Sequence, residues 1–375
     1  METSLMLQAL RDPLGVPFFP VVFQGLSVLT FALHIFFVNL VVGGALVAAW
    51  CHFSKQPWRQ KLSRTLAKVT TINLSIAIVL GVAPLLFVQV IYDPFWYTSN
   101  LLSAWWALAF LVALIVGALA MYVFYLKRKQ HSEKFGTFGL ISLACFLFAA
   151  VIIHLLSMQA LQPEQWSAWY VRDLLIDTSG GGFNAFHLSR LLHFMAPALL
   201  NTGLFLMLYA WYFRPRPDLD KQDLAEIADL GLTLARIGVV ANVMIGLWWL
   251  LEIPASLAFL TDPALMTAIL LAILLVIVLF RAGHDPAGVA PRATALSLLT
   301  ILVMSATRES LRMAYLRPFD YSIYDYPTAV DWGSTALFLA TFLIGIGVVA
   351  YLLKIAFLAG RGEFMAESKS ATEPS

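Results

Sequence analysis

Apolar residues run along this chain in blocks far longer than a soluble helix needs to cover a core. Nine blocks are separated by short polar stretches: about 20–52, 67–92, 100–126, 137–160, 187–213, 230–258, 263–281, 293–316 and 330–357. A helix needs roughly 20 apolar residues to cross a bilayer. The pattern predicts an all-α polytopic membrane bundle of about nine transmembrane helices, one integral-membrane domain over residues 1–362. The polar run 363–375 that follows is predicted to be a disordered cytoplasmic tail. No internal repeat stands out. Residues 1–19 are short and mixed, and the first block is too long for the apolar core of a signal peptide, so no cleavable signal is expected.

The polar stretches between blocks orient the bundle. Lys55, Arg59, Lys61 and Arg64 follow the first block, and Lys127, Arg128, Lys129 and Lys134 follow the third. Arg214, Arg216 and Lys221 follow the fifth, and Arg281 and Arg292 flank the stretch after the seventh. The alternate stretches hold acids and aromatics instead: Asp93 to Tyr97, Glu164 to Asp177, and Asp320 to Asp331. Basic loops stay in the cytoplasm. The N-terminus is therefore read as outside and the C-terminus as inside. The longest outward loop, 161–186, carries Trp166, Trp169 and Tyr170, which suit the interface, and a flexible Gly180-Gly181-Gly182.

Composition agrees. Hydrophobic residues make up 60% and charged residues 12% of the 375, with mean hydropathy +0.81. A net charge of +2 suggests no nucleic-acid partner. The two cysteines, Cys51 and Cys145, form no CxxC, and no CxxCH occurs. That argues against a covalent c-type haem, an iron–sulfur cluster or a structural zinc in this chain.

Against this background the ionisable residues inside the blocks become informative, because such groups are costly in lipid. His34, His154, His187 and His193 fall in the outer half of the predicted bundle. Neutral imidazole is a favoured iron ligand. Met266 lies near the same level, and methionine can complete the axial pair of a haem iron. Arg190 sits on the same segment as His187 and His193. Met304, Arg308 and Arg312 share one helical face at i, i+4 and i+8. Arginine suits haem propionates because its fork pairs with a carboxylate and stays charged. Glu252, after Trp248-Trp249, is placed to accept protons from a quinol hydroxyl. Each has a plainer reading. A membrane histidine can bond a neighbouring helix, Met266 can be core, the arginines can snorkel, His187 can sit at the interface and Glu252 can simply end a helix. His52, His131 and His284 fall at cytoplasmic ends or loops and are expected to be solvated.

Several of these residues sit in recognisable surroundings. Leu26-Ser-Val-Leu-Thr-Phe-Ala-Leu-His34, running on to Gly44, resembles the first helix of cytochrome bd oxidase subunit I, with its "LxFALTxxxH" pattern. Leu191-Leu192-His193-Phe194 resembles that family's fifth helix, whose histidine binds a low-spin b haem. Pro263-Ala264-Leu265-Met266 stands where the family has "FRxM", whose methionine is the second ligand. Thr307-Arg308-Glu309-Ser310 stands at its "GRQPW". The departures matter as much. The family's third helix carries acids for oxygen reduction, and the matching Leu101 to Phe110 has none. A high-spin haem ligand is replaced by Ser305. The large quinol loop shrinks to a few residues around Thr261-Asp262, and His154 has no counterpart.

The resemblance implies a relative that transfers electrons without reducing oxygen on its own. His193 and Met266 would hold one b haem. His34 and His154 would close a second, with His187 as an alternate ligand. Menaquinol or ubiquinol would be oxidised at the outer side near Glu252 and Arg308. Electrons would pass to a periplasmic c-type cytochrome or iron–sulfur subunit of a complex in a bacterial plasma membrane. The rival readings are a haem-free quinol-binding anchor, like those of polysulfide-reductase-type complexes, and a secondary transporter.

Overall fold

The computed structural model of the chain describes residues 2–127, 133–172 and 175–361. The polar tail lies outside them, as do Arg128, Lys129 and His131 of the second basic loop. Among the described residues nine helices are long and apolar enough to cross a membrane. The chain is an all-α polytopic membrane protein. Outer and cytoplasmic below follow the orientation read from the loops.

A short helix α1 (Glu2–Ala9) precedes the long α2 (Pro20–His52) and α3 (Pro57–Ile91). The helix α3 begins ten residues before the apolar block, so Arg59, Lys61 and Arg64 lie on helix rather than loop. Pro57 opens it at a position where the missing N–H costs nothing. The third block divides. Residues Asp93–Leu102 form a separate outer helix α4, and the crossing helix α5 starts at Ala104 (Ala104–Leu126). It is followed by α6 (Glu133–Gln159).

The outer loop is more ordered than its composition suggests. It holds a one-turn α7 (Trp166–Tyr170) and a small hairpin, β1 (Val171–Arg172) against β2 (Leu175–Ile176). Trp166 does not sit at the interface but is buried, its indole N–H donating to the Gln159 carbonyl at 2.9 Å. The glycine run is likewise pinned. The Gly182 N–H donates to Leu102 O (3.1 Å), and Trp105 N–H to Gly180 O (3.0 Å). Gly180 has φ +64°, a turn conformation that glycine adopts without strain.

The fifth block is broken into α8 (Leu188–Met195) and α9 (Pro197–Phe213). Pro197 has no N–H to continue the ladder, and its ring crowds the preceding turn. His187, Arg190 and His193 thus belong to a short outer segment whose direction is set separately from α9.

Next come α10 (Lys221–Glu252), α11 (Pro263–Phe280), α12 (Pro286–Leu316) and α13 (Trp332–Arg361). Asp220 caps α10, its carboxylate accepting from Gln222 N–H (2.8 Å) and Asp223 N–H (3.4 Å). Asp262 caps α11 through Leu265 N–H (3.0 Å), and Asp285 caps α12 through Gly288 N–H (3.1 Å). These side chains satisfy helix donors that hydrocarbon would otherwise leave bare.

The buried cytoplasmic half of α2 is the hub, packed on α3, α6, α9 and α12. The helices α9 and α10 touch backbone to backbone. A Cβ at Gly203 would stand 2.4 Å from Gly231 O and 2.5 Å from Ala235 N. Small residues permit such contact in a membrane, where tight packing replaces the hydrophobic drive. This contact fixes α10 against α9 below the site described next. Gly203→Val should force the pair apart and cost about 1–3 kcal/mol or more. Thermal unfolding of the purified variant in detergent measures it, and an unchanged midpoint would refute the close approach.

Candidate functional site

The histidines of α2 and α8 are seated in the same manner. The His34 Nδ1 lies 2.9 Å from the Ala77 carbonyl on α3. A carbonyl only accepts, so Nδ1 carries the proton and Nε2 keeps its lone pair. One turn further, at Gly81, a Cβ would stand 2.7 Å from His34 Cε1. The glycine is therefore the seat for the ring. His193 repeats the arrangement on α10. Its ring faces the Asn242 carbonyl, and a Cβ at Gly246 would stand 3.0 Å from His193 Cε1. The His193 Nδ1 is buried without a partner in hydrogen-bond geometry. The Asn242 carbonyl is thus a neighbour of that nitrogen rather than a formed bond. Trp249 covers the ring at 5.2 Å between centroids. Metal-ligating histidines characteristically give their second ring nitrogen to a carbonyl, which fixes the tautomer and aims the other nitrogen.

Three arginines gather beside these histidines. Arg190, Arg308 and Arg312 lie within electrostatic reach of one another. Arg308 stacks on Phe31 at 4.1 Å, three residues from His34 on α2, and makes no ion pair among the described residues. Arg190 is 6% exposed, and it donates to Ser157 Oγ (3.2 Å) and Met158 Sδ rather than to a carboxylate. Arg312 lies over Tyr92 at 4.6 Å and pairs with Glu309 at 2.9 Å. Glu309, 3% exposed, is the carboxylate paired within this group, and Glu252 lines a small space beside Arg190.

The residues fit a bound haem in two respects. Two imidazoles are set against glycine seats, and two buried guanidiniums, Arg190 and Arg308, make no ion pair among the described residues. Among the described residues no three His, Cys, Asp or Glu side chains gather to hold a metal ion, but haem iron takes only two axial ligands from protein.

The other candidates are less convergent. His154 is buried, its Nε2 accepting the His187 backbone N–H at 3.4 Å. Phe186 packs on its ring at 5.7 Å. Ala185 takes φ +58°, a strained value for a side chain, at the bend leading into this contact. Met266 stands on the first turn of α11, 45% exposed, with no ring or hydrogen-bond contact to His193. Ser305 is buried and turns its hydroxyl back to the Ile301 carbonyl at 2.8 Å.

Glu252 ends α10 beside a small enclosed space of about 10 Å³, lined by His187, Arg190, Trp249 and Tyr315 among others. That is the room of about one water. Ser189 donates its hydroxyl to Glu252 Oε2, and His187 Nδ1 stands 3.8 Å from the same oxygen. Both side chains of the pair are more than a third exposed, so the carboxylate and imidazole open to the outer surface.

Two buried acids were not singled out in the sequence. Glu309 accepts from the Tyr92 hydroxyl at 2.5 Å and from Arg312. Asp93 accepts from the Tyr326 hydroxyl and from Asp12 N–H (3.0 Å), and Tyr326 bonds Tyr321 at 2.7 Å. Burial raises the Asp93 carboxyl above its ordinary value against the pull of those donors, and raises both tyrosines too. The i, i+3 spacing of Glu309 and Arg312 is a signal that would have found the first acid. Asp93 carries no such local mark.

Glu309→Ala would leave Arg312 and Tyr92 buried without their acceptor. Breaking one side of such a pair costs about 3–5 kcal/mol. Glu309→Gln, which keeps an acceptor, should lose less. Unfolding midpoints in detergent order the three proteins, and equal midpoints would contradict the pairing.

No family model and no curated protein matches the sequence. Among solved structures the chain shares the fold of the bd oxidase from Geobacillus thermodenitrificans. The TM-score is 0.69 over 92% of this chain and 99% of that chain, at 14% sequence identity. The resemblance carried by the short histidine and arginine motifs thus holds at the level of fold.

Proposed function

We propose that this chain is a haem-bearing, quinol-oxidising subunit of a respiratory electron-transfer complex in a bacterial plasma membrane. The observation that carries the reading is the buried arginine cluster beside two glycine-seated histidines. Arg312 pairs with Glu309, while Arg190 and Arg308 make no ion pair among the described residues, and haem b brings two propionates. Neither arginine can shed its proton instead. His193 is the first ligand candidate, with Met266 as its partner across α11. His34 is the ligand candidate for a second haem, its Nε2 left basic by the Ala77 bond. His154 or His187 would complete that second pair. For His154 this means releasing the His187 N–H that its Nε2 now accepts. Arg190, Arg308 and Arg312 would receive the propionates. Haem bound here would supply one-electron redox chemistry that no side chain of the site provides.

The protein's own part is proton handling and positioning. The Glu252 carboxylate accepts the proton of a quinol hydroxyl at the outer surface. Ser189 holds that carboxylate by donating to Oε2, and His187 stands 3.8 Å away to share the proton. The enclosed space is about 10 Å³, so a quinol ring meets Glu252 from the exposed rim or displaces the lining. Protons leave outward, since the pair is open on that side. Electrons would go to a periplasmic c-type cytochrome or iron–sulfur subunit. Oxygen reduction is not proposed, because Ser305 and the acid-free stretch 101–110 offer neither the ligand nor the acids of the oxygen-reducing pattern.

The spectrum of the purified protein is the direct test. A b-type α band on reduction supports haem, whereas its absence in membranes replete with haem would favour a quinol-binding anchor without one. His193→Ala should remove one haem and leave the protein inserted, and a full pigment complement in that variant would unseat His193 as a ligand. Glu252→Gln should slow quinol oxidation by roughly 10²-fold or more with the haem spectrum unchanged. Normal turnover would take Glu252 out of the mechanism.

A further inference from the structure

A second space lies toward the cytoplasmic end, away from His34 and His193. A cleft of about 680 Å³ opens at the cytoplasmic end between α3, α9 and α13. Its walls are mainly apolar along the membrane direction, with Ile72, Leu208 and Phe357 among them. Its polar mouth carries Arg64 and Lys68, one turn apart on α3 and so on one face. Lys68 makes no ion pair among the described residues.

The third wall is unusual. No residue in the apolar stretch of α13 is buried. At its cytoplasmic end the helix meets the bundle, where the Tyr212 hydroxyl donates to Phe357 O at 2.7 Å and the two rings lie 5.1 Å apart. Arg216 donates to Gly360 O at 3.4 Å. At its other end Trp332 packs on Phe18 at 5.8 Å, and Phe357 is the α13 residue that lines the cleft.

We propose that this cleft is the seat of an anionic phospholipid of the cytoplasmic leaflet. Its phosphate would lie on Arg64 and Lys68, and its acyl chains would fill the space between α3, α9 and α13. Charge decides for an anionic lipid. Cations at this depth in the inner leaflet attract acidic headgroups. A zwitterionic lipid offers the same chains but cancels the attraction with its own ammonium. The seated lipid then acts as mortar, supplying α13 with the packing that protein side chains do not.

The test uses full-length protein reconstituted in nanodiscs of equal phosphatidylglycerol and phosphatidylethanolamine, then released into mild detergent. Native mass spectrometry counts the lipid that stays. Wild type should retain phosphatidylglycerol in preference to phosphatidylethanolamine. Arg64→Gln/Lys68→Gln should lose that preference by roughly tenfold or more, while Arg281→Gln, a cytoplasmic cation outside the cleft, should keep it. Lys68→Gln alone, at an exposed position that the fold tolerates, should lose part of it, which guards against a double variant that fails to fold. Equal retention of both lipids by wild type, or undiminished phosphatidylglycerol on the double and single variants, overturns the proposal. The cleft would then be left to a helix of a partner protein.

Discussion

A guanidinium taken out of water must be answered by negative charge, and the outer half of this bundle is built around three of them. Arg190, Arg308 and Arg312 cannot neutralise themselves by giving up a proton, as a buried lysine or carboxylate can. Their mutual repulsion and desolvation are met by Glu309, by the faces of Phe31 and Tyr92, and by the Ser157 hydroxyl. Ring faces and a hydroxyl soften the penalty but do not cancel charge. On the proposed reading, Arg190 and Arg308, which make no ion pair among the described residues, keep a place for an anion near His34 and His193. Cofactor binding and stability are then one problem. A dianionic ligand completes the electrostatics of the bundle as well as its chemistry, and binding to the native state alone stabilises that state.

The seats of the two histidines show how backbone geometry reaches the chemistry. His34 and His193 stand on different helices, yet each meets a carbonyl and, four residues on, a glycine of its neighbour. The glycine removes the side chain that would push the ring away, and at His34 the Ala77 carbonyl selects which nitrogen holds the proton. The same economy sets α9 on α10, where Gly203 and Gly231 let two backbones touch. Helix contact by small residues places Gly246 where His193 needs it. The break at Ala196–Pro197 frees α8 to turn His193 toward that contact independently of α9.

Much of this was legible in the chain and some was not, for physical reasons. Length and apolarity alone decide that a segment crosses lipid, so nine spans could be read, while the bd-type fold was indicated by the short motifs around His34 and His193. Helix ends were less visible, because α3, α10 and α12 run on past the hydrocarbon into polar turns that hydropathy counts as loop. Pro197 was a readable breaker that a continuous apolar run obscured. His34, His193 and the arginines were found because charge in lipid is rare. Glu309 was overlooked although its i, i+3 spacing to Arg312 was readable; its other partner, Tyr92, meets it only in the folded bundle. The bond from the His187 backbone to His154 was beyond sequence altogether. A backbone N–H leaves no trace in composition, yet it ties His154 to the outer loop rather than to His34.

The two halves of the molecule divide the work. Toward the cytoplasm the helices meet through Ala45, Ala48, Leu66, Met121, Phe124 and Leu206, a cluster without a buried charge. Toward the outside lie the arginines, both buried acids, the histidines and the open Glu252–His187 pair. A proton released at that pair reaches the outer surface without crossing the apolar half. An electron moving among groups of the outer layer stays on the same side. Chemistry confined in this way needs no acid within the third crossing helix, and α5 has none between Ala104 and Leu126. Loss of those acids, which reads as damage beside an oxygen-reducing pattern, is what a one-sided electron relay would be expected to tolerate.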